Sequence, residues 1–163
     1  METRISRNVD FAGPARILAL DLGKRRIGLA ISDPLGITAQ GLPTLQRTRI
    51  RDDFAALGRI IEEQGVQSIL IGNPLHMSGR EGRGSEHARE FAERLTAETG
   101  CPVTLWDERL TTVEAQRVLR ESGASIEKRA RSVDRLAAVI LLESYLDSLA
   151  FTKWQDEDPN SPA

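Results

Sequence analysis

The chain contains 163 residues, of which 40% are hydrophobic and 28% are charged, and it carries a formal net charge of −2 at pH 7. This length and balance predict one globular domain with a single core, and the slightly negative charge does not favour extensive phosphate binding. A single cysteine, Cys101, excludes an intramolecular disulfide and a multi-cysteine zinc cluster, and the lack of any run of about 18 apolar residues predicts a cytoplasmic protein without membrane association.

The amino-terminal part of the chain has the pattern of three antiparallel strands. Two short apolar runs, residues 16–22 and 26–32, are separated by Gly23-Lys24-Arg25, which predicts a hairpin. A second turn signal, Asp-Pro-Leu-Gly, follows directly. Residues 37–45 then form the third predicted strand, with Pro43 on a sheet edge where its missing N–H costs little.

A helix and a buried strand come next. From about 49 to 64 the apolar residues recur at helical spacing, and Gly65 ends the helix. The segment SILIG, residues 68–72, is an unbroken apolar run. Because strands that are buried on both faces read in this way, the run suggests parallel pairing.

The second half of the chain continues to alternate helices and strands. Ser85 predicts the N-cap of a helix that runs to about Thr99, and residues 102–106 form another short strand. A capping-box pattern at Thr111 opens a helix that ends near Gly123. The last helix is expected to begin at Ser132.

These elements predict a mixed α/β sheet with three antiparallel strands, then parallel strands, and with helices on both faces. We expect one domain over residues 15–151. The segments 1–14 and 153–163 are expected to be disordered tails, since the chain after Lys153 is acidic and contains prolines.

Three acidic residues lie where chemistry is expected. Asp21 interrupts an apolar run, and an ionised carboxylate on a strand is costly to desolvate without a partner. Glu108 follows a strand directly, at the sheet edge where active sites of open α/β sheets lie. Asp134, near the start of the last predicted helix, borders that helix's apolar face.

Each acid also has a purely structural interpretation. Asp21 could form a turn with Gly23, and Glu108 could belong to a solvated, self-paired loop with Asp107 and Arg109. Asp134 could simply interact with the helix dipole, since it lies in the first turn of the predicted helix.

If the three acids converge, they need a cation or raised pKa values. Two carboxylates near 4 Å repel by about 4 kcal/mol at an effective dielectric of 20. Oxygen-only ligands favour Mg²⁺ or Mn²⁺ over zinc, and such ions activate water for phosphodiester hydrolysis. Asp21, Glu108 and Asp134 are therefore candidate metal ligands and catalytic residues, with one or two ions left open.

Basic and glycine-rich loops offer places for substrate phosphates. Glycines 72, 79, 82 and 84 accompany a loop whose free N–H groups, with the following helix, could receive a phosphate. A surface loop is the alternative, and His76 within it reads as a surface residue. The candidate substrate-binding residues are Lys24, Arg25, Gly72, Gly79, Arg80, Arg109 and Arg131.

Four segments together carry a resemblance. The motifs ALDLGKRRIGLAISD, IGNPLHMSGREG, WDERLTT and SVDRLAA, in this order across roughly residues 15 to 150, are similar to those of the YqgF family of Holliday junction resolvases. The resemblance implies a ribonuclease H-like fold and a nuclease that processes the 5′ end of pre-16S ribosomal RNA in the cytoplasm. It also implies that Asp21, Glu108 and Asp134 correspond to the family's catalytic acids.

Other functions stay open at this point. The substrate could be RNA or a branched DNA junction, because metal chemistry at a phosphodiester does not depend on base sequence. A noncatalytic nucleic-acid or ribosome-associated module is a further alternative, given the negative net charge. An actin-like ATPase or sugar kinase is disfavoured because 163 residues hardly provide the second lobe that closes over a nucleotide. The sequence does not predict an oligomeric state.

Overall fold

The computed structural model describes residues 16–74, 78–107 and 126–157, and in the last segment it describes the side chains of residues 133–153. The strands are β1 (Arg16–Leu22), β2 (Arg26–Ser32), β3 (Ala39–Gln46), β4 (Val66–Asn73) and β5 (Val103–Asp107). The helices are α1 (Ile50–Gln64), α2 (Arg83–Thr99) and α3 (Ile126–Glu157).

The five strands form one mixed sheet in the order β3-β2-β1-β4-β5. The pairs β1–β2 and β2–β3 are antiparallel, whereas β4 pairs in parallel with both β1 and β5, as predicted. Pro43 lies on the edge strand β3, where the register of the β2–β3 pair shifts. Its missing N–H therefore costs little, as expected.

Each face of the sheet is covered by helices. Because side chains alternate along a strand, Leu18 and Leu20 pack with helices α1 and α2 on one face, while Ile17 and Ala19 pack against α3 on the other. The predicted arrangement with helices on both faces is confirmed.

Two glycines allow α3 to approach the sheet closely. A Cβ atom on Gly28 of β2 would lie 1.9 Å from the carbonyl oxygen of Asp134. A Cβ atom on Gly41 of β3 would lie 2.6 Å from Cγ of Arg135. At both positions a side chain would occupy space that the helix already fills.

Several predicted boundaries are wrong. β3 covers Ala39–Gln46 rather than 37–45, because Ile37 and Thr38 donate their backbone N–H groups to the Asp33 carboxylate and so belong to the loop. Helix α2 begins at Arg83, with Gly82 at its N-cap. Ser85 does not cap it: the Ser85 hydroxyl donates to Asn73 Oδ1 instead.

The last helix is longer than predicted at both ends. It begins at Ile126 rather than Ser132, and it continues to Glu157, beyond Lys153 where a disordered tail was expected. The helix predicted from Thr111 to about Gly123 lies outside the described residues. Within the described residues, no helix is long and apolar enough to cross a membrane.

Candidate active site

Asp21 lies near the carboxyl end of β1 and is half-buried. It shares its sheet face with Ile17 and Ala19, so its side chain is on the face that α3 covers. Its direct neighbour on β2 is Gly28. Since neighbouring antiparallel strands hold paired Cα atoms about 5 Å apart, Asp21 is next to the point where α3 touches the sheet.

Asp134 lies at that point of contact. Its carbonyl oxygen occupies the space where a side chain at position 28 would be. Asp21 and Asp134 therefore flank Gly28, one beside it in the sheet and the other above it on the helix. The structure brings two of the three predicted carboxylate residues to one edge of one sheet face.

The helix dipole does not explain Asp134. Because α3 begins at Ile126, Asp134 lies about two turns inside the helix instead of in its first turn. The dipole effect is confined to the first and last turns. The structural interpretation based on the predicted helix start is therefore wrong.

Arg26, the first residue of β2, pairs with Asp134. The Arg26 Nε atom lies 3.0 Å from Asp134 Oδ2, and the two side chains are 30% and 19% exposed. Among the described residues, this buried oxygen accepts no hydrogen bond of regular geometry, so the contact is an ion pair. Burial raises the pKa of Asp134 above its usual value, and the positive charge of Arg26 opposes that rise.

The ends of β4 and β5 reach the same edge of the sheet. Gly72 pairs with Trp106, and Asn73 pairs with Asp107, which is exposed. Glu108 and Arg109 follow directly in the sequence but lie outside the described residues. The third predicted acid is therefore not placed.

No group of three or more His, Cys, Asp or Glu side chains within residues 16–74, 78–107 and 133–153 is arranged to hold a metal ion. Asp21 and Asp134 are two of the predicted donors, and Glu108 lies outside the described residues. A complete three-acid site thus stays a prediction.

The turn after Asp21 presents two of the predicted substrate-binding residues. Lys24 and Arg25 are exposed, and the turn is closed by a hydrogen bond from Gly23 N to Arg26 O of 2.9 Å. The backbone N–H of Arg47 donates to Arg25 O at 2.8 Å. The turn is thus bonded both within itself and to the segment after β3.

The other described residues predicted to bind substrate come from β4, from the segment before α2 and from α3. Gly72 is buried in β4, whereas Gly79, which has a φ of 85°, and Arg80 are exposed before α2. Arg131 belongs to α3, about one turn before Asp134. His76 lies outside the described residues.

The sequence interpretation missed Arg26 and Gly28. Both lie on β2 on the face of α3, together with the buried Ala30. The sequence contains a signal for Gly28 but not for Arg26. A tight hairpin after Leu22 sets a register in which Gly28 is opposite Asp21. That Arg26 meets a residue of the last helix follows only from tertiary packing.

Comparison with known proteins places this chain among nucleases. The family described as "RuvX: Holliday junction resolvase" matches residues 15–148. A Koribacter versatilis protein named "Putative pre-16S rRNA nuclease" is 58% identical over 132 residues, which cover 81% of this chain and 86% of that protein. A Clostridium novyi protein of the same name is 46% identical over 134 residues, covering 82% and 99%.

Solved structures resemble the fold. RuvC from T. thermophilus, in complex with a Holliday junction substrate, aligns with a TM-score of 0.51 and 15% identity, covering 85% of this chain and 97% of that one. The Fowlpox virus resolvase with Holliday junction DNA aligns with a TM-score of 0.52 and 13% identity, covering 82% and 98%. These similarities confirm the predicted ribonuclease H-like fold.

Proposed function

This chain belongs to the RuvX (YqgF) family and is a nuclease, and from that premise we propose that it hydrolyses phosphodiester bonds of precursor 16S ribosomal RNA with a divalent cation held by Asp21, Glu108 and Asp134. The observation that carries the proposal is the placement of Asp21 and Asp134 on either side of Gly28.

The residues that are described fit a hard cation. Asp21 and Asp134 come from a strand and a helix that meet at one glycine, so their carboxylates share one face of the sheet. Asp134 Oδ2 is buried and, among the described residues, is balanced by the Arg26 ion pair without a regular hydrogen bond, so it is an anionic oxygen of the kind that a cation binds. Oxygen donors of this kind favour Mg²⁺ or Mn²⁺.

Each part of the chain has a task in the proposed reaction. Asp21, Glu108 and Asp134 would hold the cation, which supplies activation of water and stabilisation of phosphoryl charge when it is bound. Lys24, Arg25, Arg80, Arg109 and Arg131 would contact phosphates of the substrate strand, with the backbone around Gly72 and Gly79 as further donors. These assignments extend the sequence predictions, and the exposure of Lys24, Arg25 and Arg80 supports them.

Precursor ribosomal RNA is the proposed substrate because the closely similar relatives are named for it. The second candidate is a branched DNA junction, which is favoured by the description of the family. We further propose that the protein acts on this substrate in the cytoplasm, as the sequence resemblance implies.

The test compares the unaltered protein with Asp21→Asn, Glu108→Gln and Asp134→Asn, in Mn²⁺ and in chelator. Two end-labelled substrates are used: a 5′-extended 16S ribosomal RNA fragment and a four-way DNA junction. Asp147→Asn is the matched control, since Asp147 is an exposed acid further along α3.

We expect metal-dependent cutting of the RNA that falls by at least about a hundredfold in each site variant and is unchanged in the control. Cutting of the junction alone would replace the RNA proposal with the second candidate. If the unaltered protein cuts neither substrate, and it and the site variants still bind RNA, the chain acts as a noncatalytic binding module instead.

A further inference from the structure

The pairing of Arg26 with Asp134 places a fixed positive charge inside the proposed metal site. The guanidinium lies on the side of Oδ2, the buried oxygen of the carboxylate. Arg26 starts β2 and shares its sheet face with Gly28, so it stands beside the point where α3 contacts the sheet. The exposed Lys24 and Arg25 precede it in the same turn.

Asp134 has little freedom to avoid this charge. Its carbonyl oxygen is packed against Gly28, which fixes the backbone from which the side chain starts. A carboxylate that is this buried needs a compensating charge, because desolvation without one is costly. In the described part of the chain, Arg26 supplies that charge.

We propose that Arg26 is a built-in counter-cation for Asp134, which neutralises and positions the carboxylate while no metal is bound and which competes with the metal for it. The inference rests on the proposed function, because it takes Asp134 as one donor of the metal site. Arg26 is on this view a positioning residue, acting through Asp134.

Two consequences follow from the charges alone. Without the guanidinium, the buried Asp134 oxygen of the metal-free protein has no compensating charge among the described residues, so the protein loses stability. Loss of the guanidinium also makes the site more negative and removes the repulsion between Arg26 and the incoming metal ion. The metal therefore binds more tightly. A residue that served only to brace the helix would produce the first effect without the second.

The test is a calorimetric titration of the whole chain with Mn²⁺, together with thermal unfolding in chelator and in saturating Mn²⁺. For Arg26→Gln we expect a melting temperature below that of the unaltered protein in chelator. We further expect a dissociation constant for Mn²⁺ about tenfold lower than that of the unaltered protein, and recovery of most of the lost melting temperature when Mn²⁺ is saturating.

Two control variants separate charge at this position from charge in general. Arg25→Gln removes an exposed positive charge one residue away, and it should change the Mn²⁺ dissociation constant by no more than about twofold. Arg26→Lys keeps the charge, so its dissociation constant should stay close to that of the unaltered protein.

A dissociation constant for Arg26→Gln that is unchanged or higher, while the unaltered protein binds Mn²⁺, overturns the counter-cation and leaves the proposed function intact. Absence of Mn²⁺ binding by both proteins contradicts the proposed function. The role of the Arg26–Asp134 ion pair is then tested by the melting temperature in chelator. The double variant Arg26→Gln/Asp134→Asn should regain the stability that Arg26→Gln alone loses. Simple addition of two losses would overturn the inference.

Discussion

The Arg47 guanidinium donates a hydrogen bond from Nη1 to the carbonyl oxygen of Gly23, at 2.8 Å. Its Nε atom lies 3.7 Å from Oδ2 of the buried Asp53, and its guanidinium carbon lies 5.7 Å from the centroid of the Phe91 ring. One side chain therefore ties the turn after Asp21 to the start of α1 and to α2.

Replacement of Arg47 by methionine should weaken this connection. The buried Asp53 would keep its hydrogen bond from Thr48 N but lose its ion pair, and Gly23 O would lose a donor. We expect the free energy of unfolding to fall by about 2–3 kcal/mol, measured by urea unfolding. Arg51→Met, which removes an exposed arginine of α1, should change it by less than about 0.5 kcal/mol. Equal losses in the two variants would contradict the role of Arg47.

Gly28→Ala should be among the most damaging single-methyl changes in this chain. The added Cβ would lie 1.9 Å from a backbone oxygen of α3, so the helix or the strand must move. We expect the free energy of unfolding to fall by about 1–3 kcal/mol and the cleavage rate to fall strongly.

Gly58→Ala is the matched control for that substitution. Gly58 lies in α1, and a Cβ there meets nothing within 4 Å. Alanine should therefore raise the free energy of unfolding by about 0.5–1 kcal/mol, because it favours the helix more than glycine does. A Gly28→Ala protein that is as stable as this control would contradict the close helix–sheet contact.

The loop between β2 and β3 should show a pH-dependent contribution to stability. Backbone N–H groups of Thr38, Ile37 and Leu35 donate to the Asp33 carboxylate and lower its pKa, with Thr38 as the largest cause. Because the folded-state pKa lies below the unfolded value, the stabilisation is complete above the unfolded pKa and is lost as the pH falls through the folded one.

Comparison of the unaltered protein with Asp33→Ala tests this sign. At pH 7 the variant should unfold at a lower urea concentration, and the two midpoints should converge as the pH is lowered below the ordinary aspartate pKa of 3.8. A difference that grows on acidification would show that the carboxylate does not act as the charged acceptor of these bonds.

Metal binding should appear as thermal stabilisation. Saturation with Mn²⁺ at about a hundred times its dissociation constant adds about 2.7 kcal/mol, which corresponds to a rise in melting temperature of roughly 5–10 °C for a domain of this size. Asp21→Asn should remove most of the rise, measured by differential scanning calorimetry. An equal rise in both proteins would mean that the ion binds elsewhere.

The sheet was predictable because its signals are local. The turn Gly23-Lys24-Arg25 fixes the register of the first hairpin, and the apolar segment around Leu70 is typical of a strand paired on both sides. The start of α3 was not predictable in this way: residues 126–131 are mostly charged, so Ser132 offered a more obvious N-cap signal than the true start.

The candidate site was predictable only as a set of residue types. Asp21 was identifiable because a carboxylate within an apolar run needs a partner, and that argument requires no tertiary structure. The pairing of Asp134 with Arg26 could not be identified in this way. The two residues are more than a hundred positions apart in the sequence and meet only when α3 packs on β2. Gly28 was likewise missed, since a glycine in a strand has many explanations.

The two neighbours of Gly28 also differ in when they can reach it during folding. Asp21 joins Gly28 through a hairpin, whose short loop closes at low entropic cost, whereas Asp134 lies more than a hundred residues further along the chain and reaches Gly28 only when α3 docks on the sheet. We therefore expect the hairpin to exist early in refolding and α3 to dock late. On a ribosome, the β1–β2 strands would emerge long before α3, so this nuclease would become competent only after α3 has been synthesised.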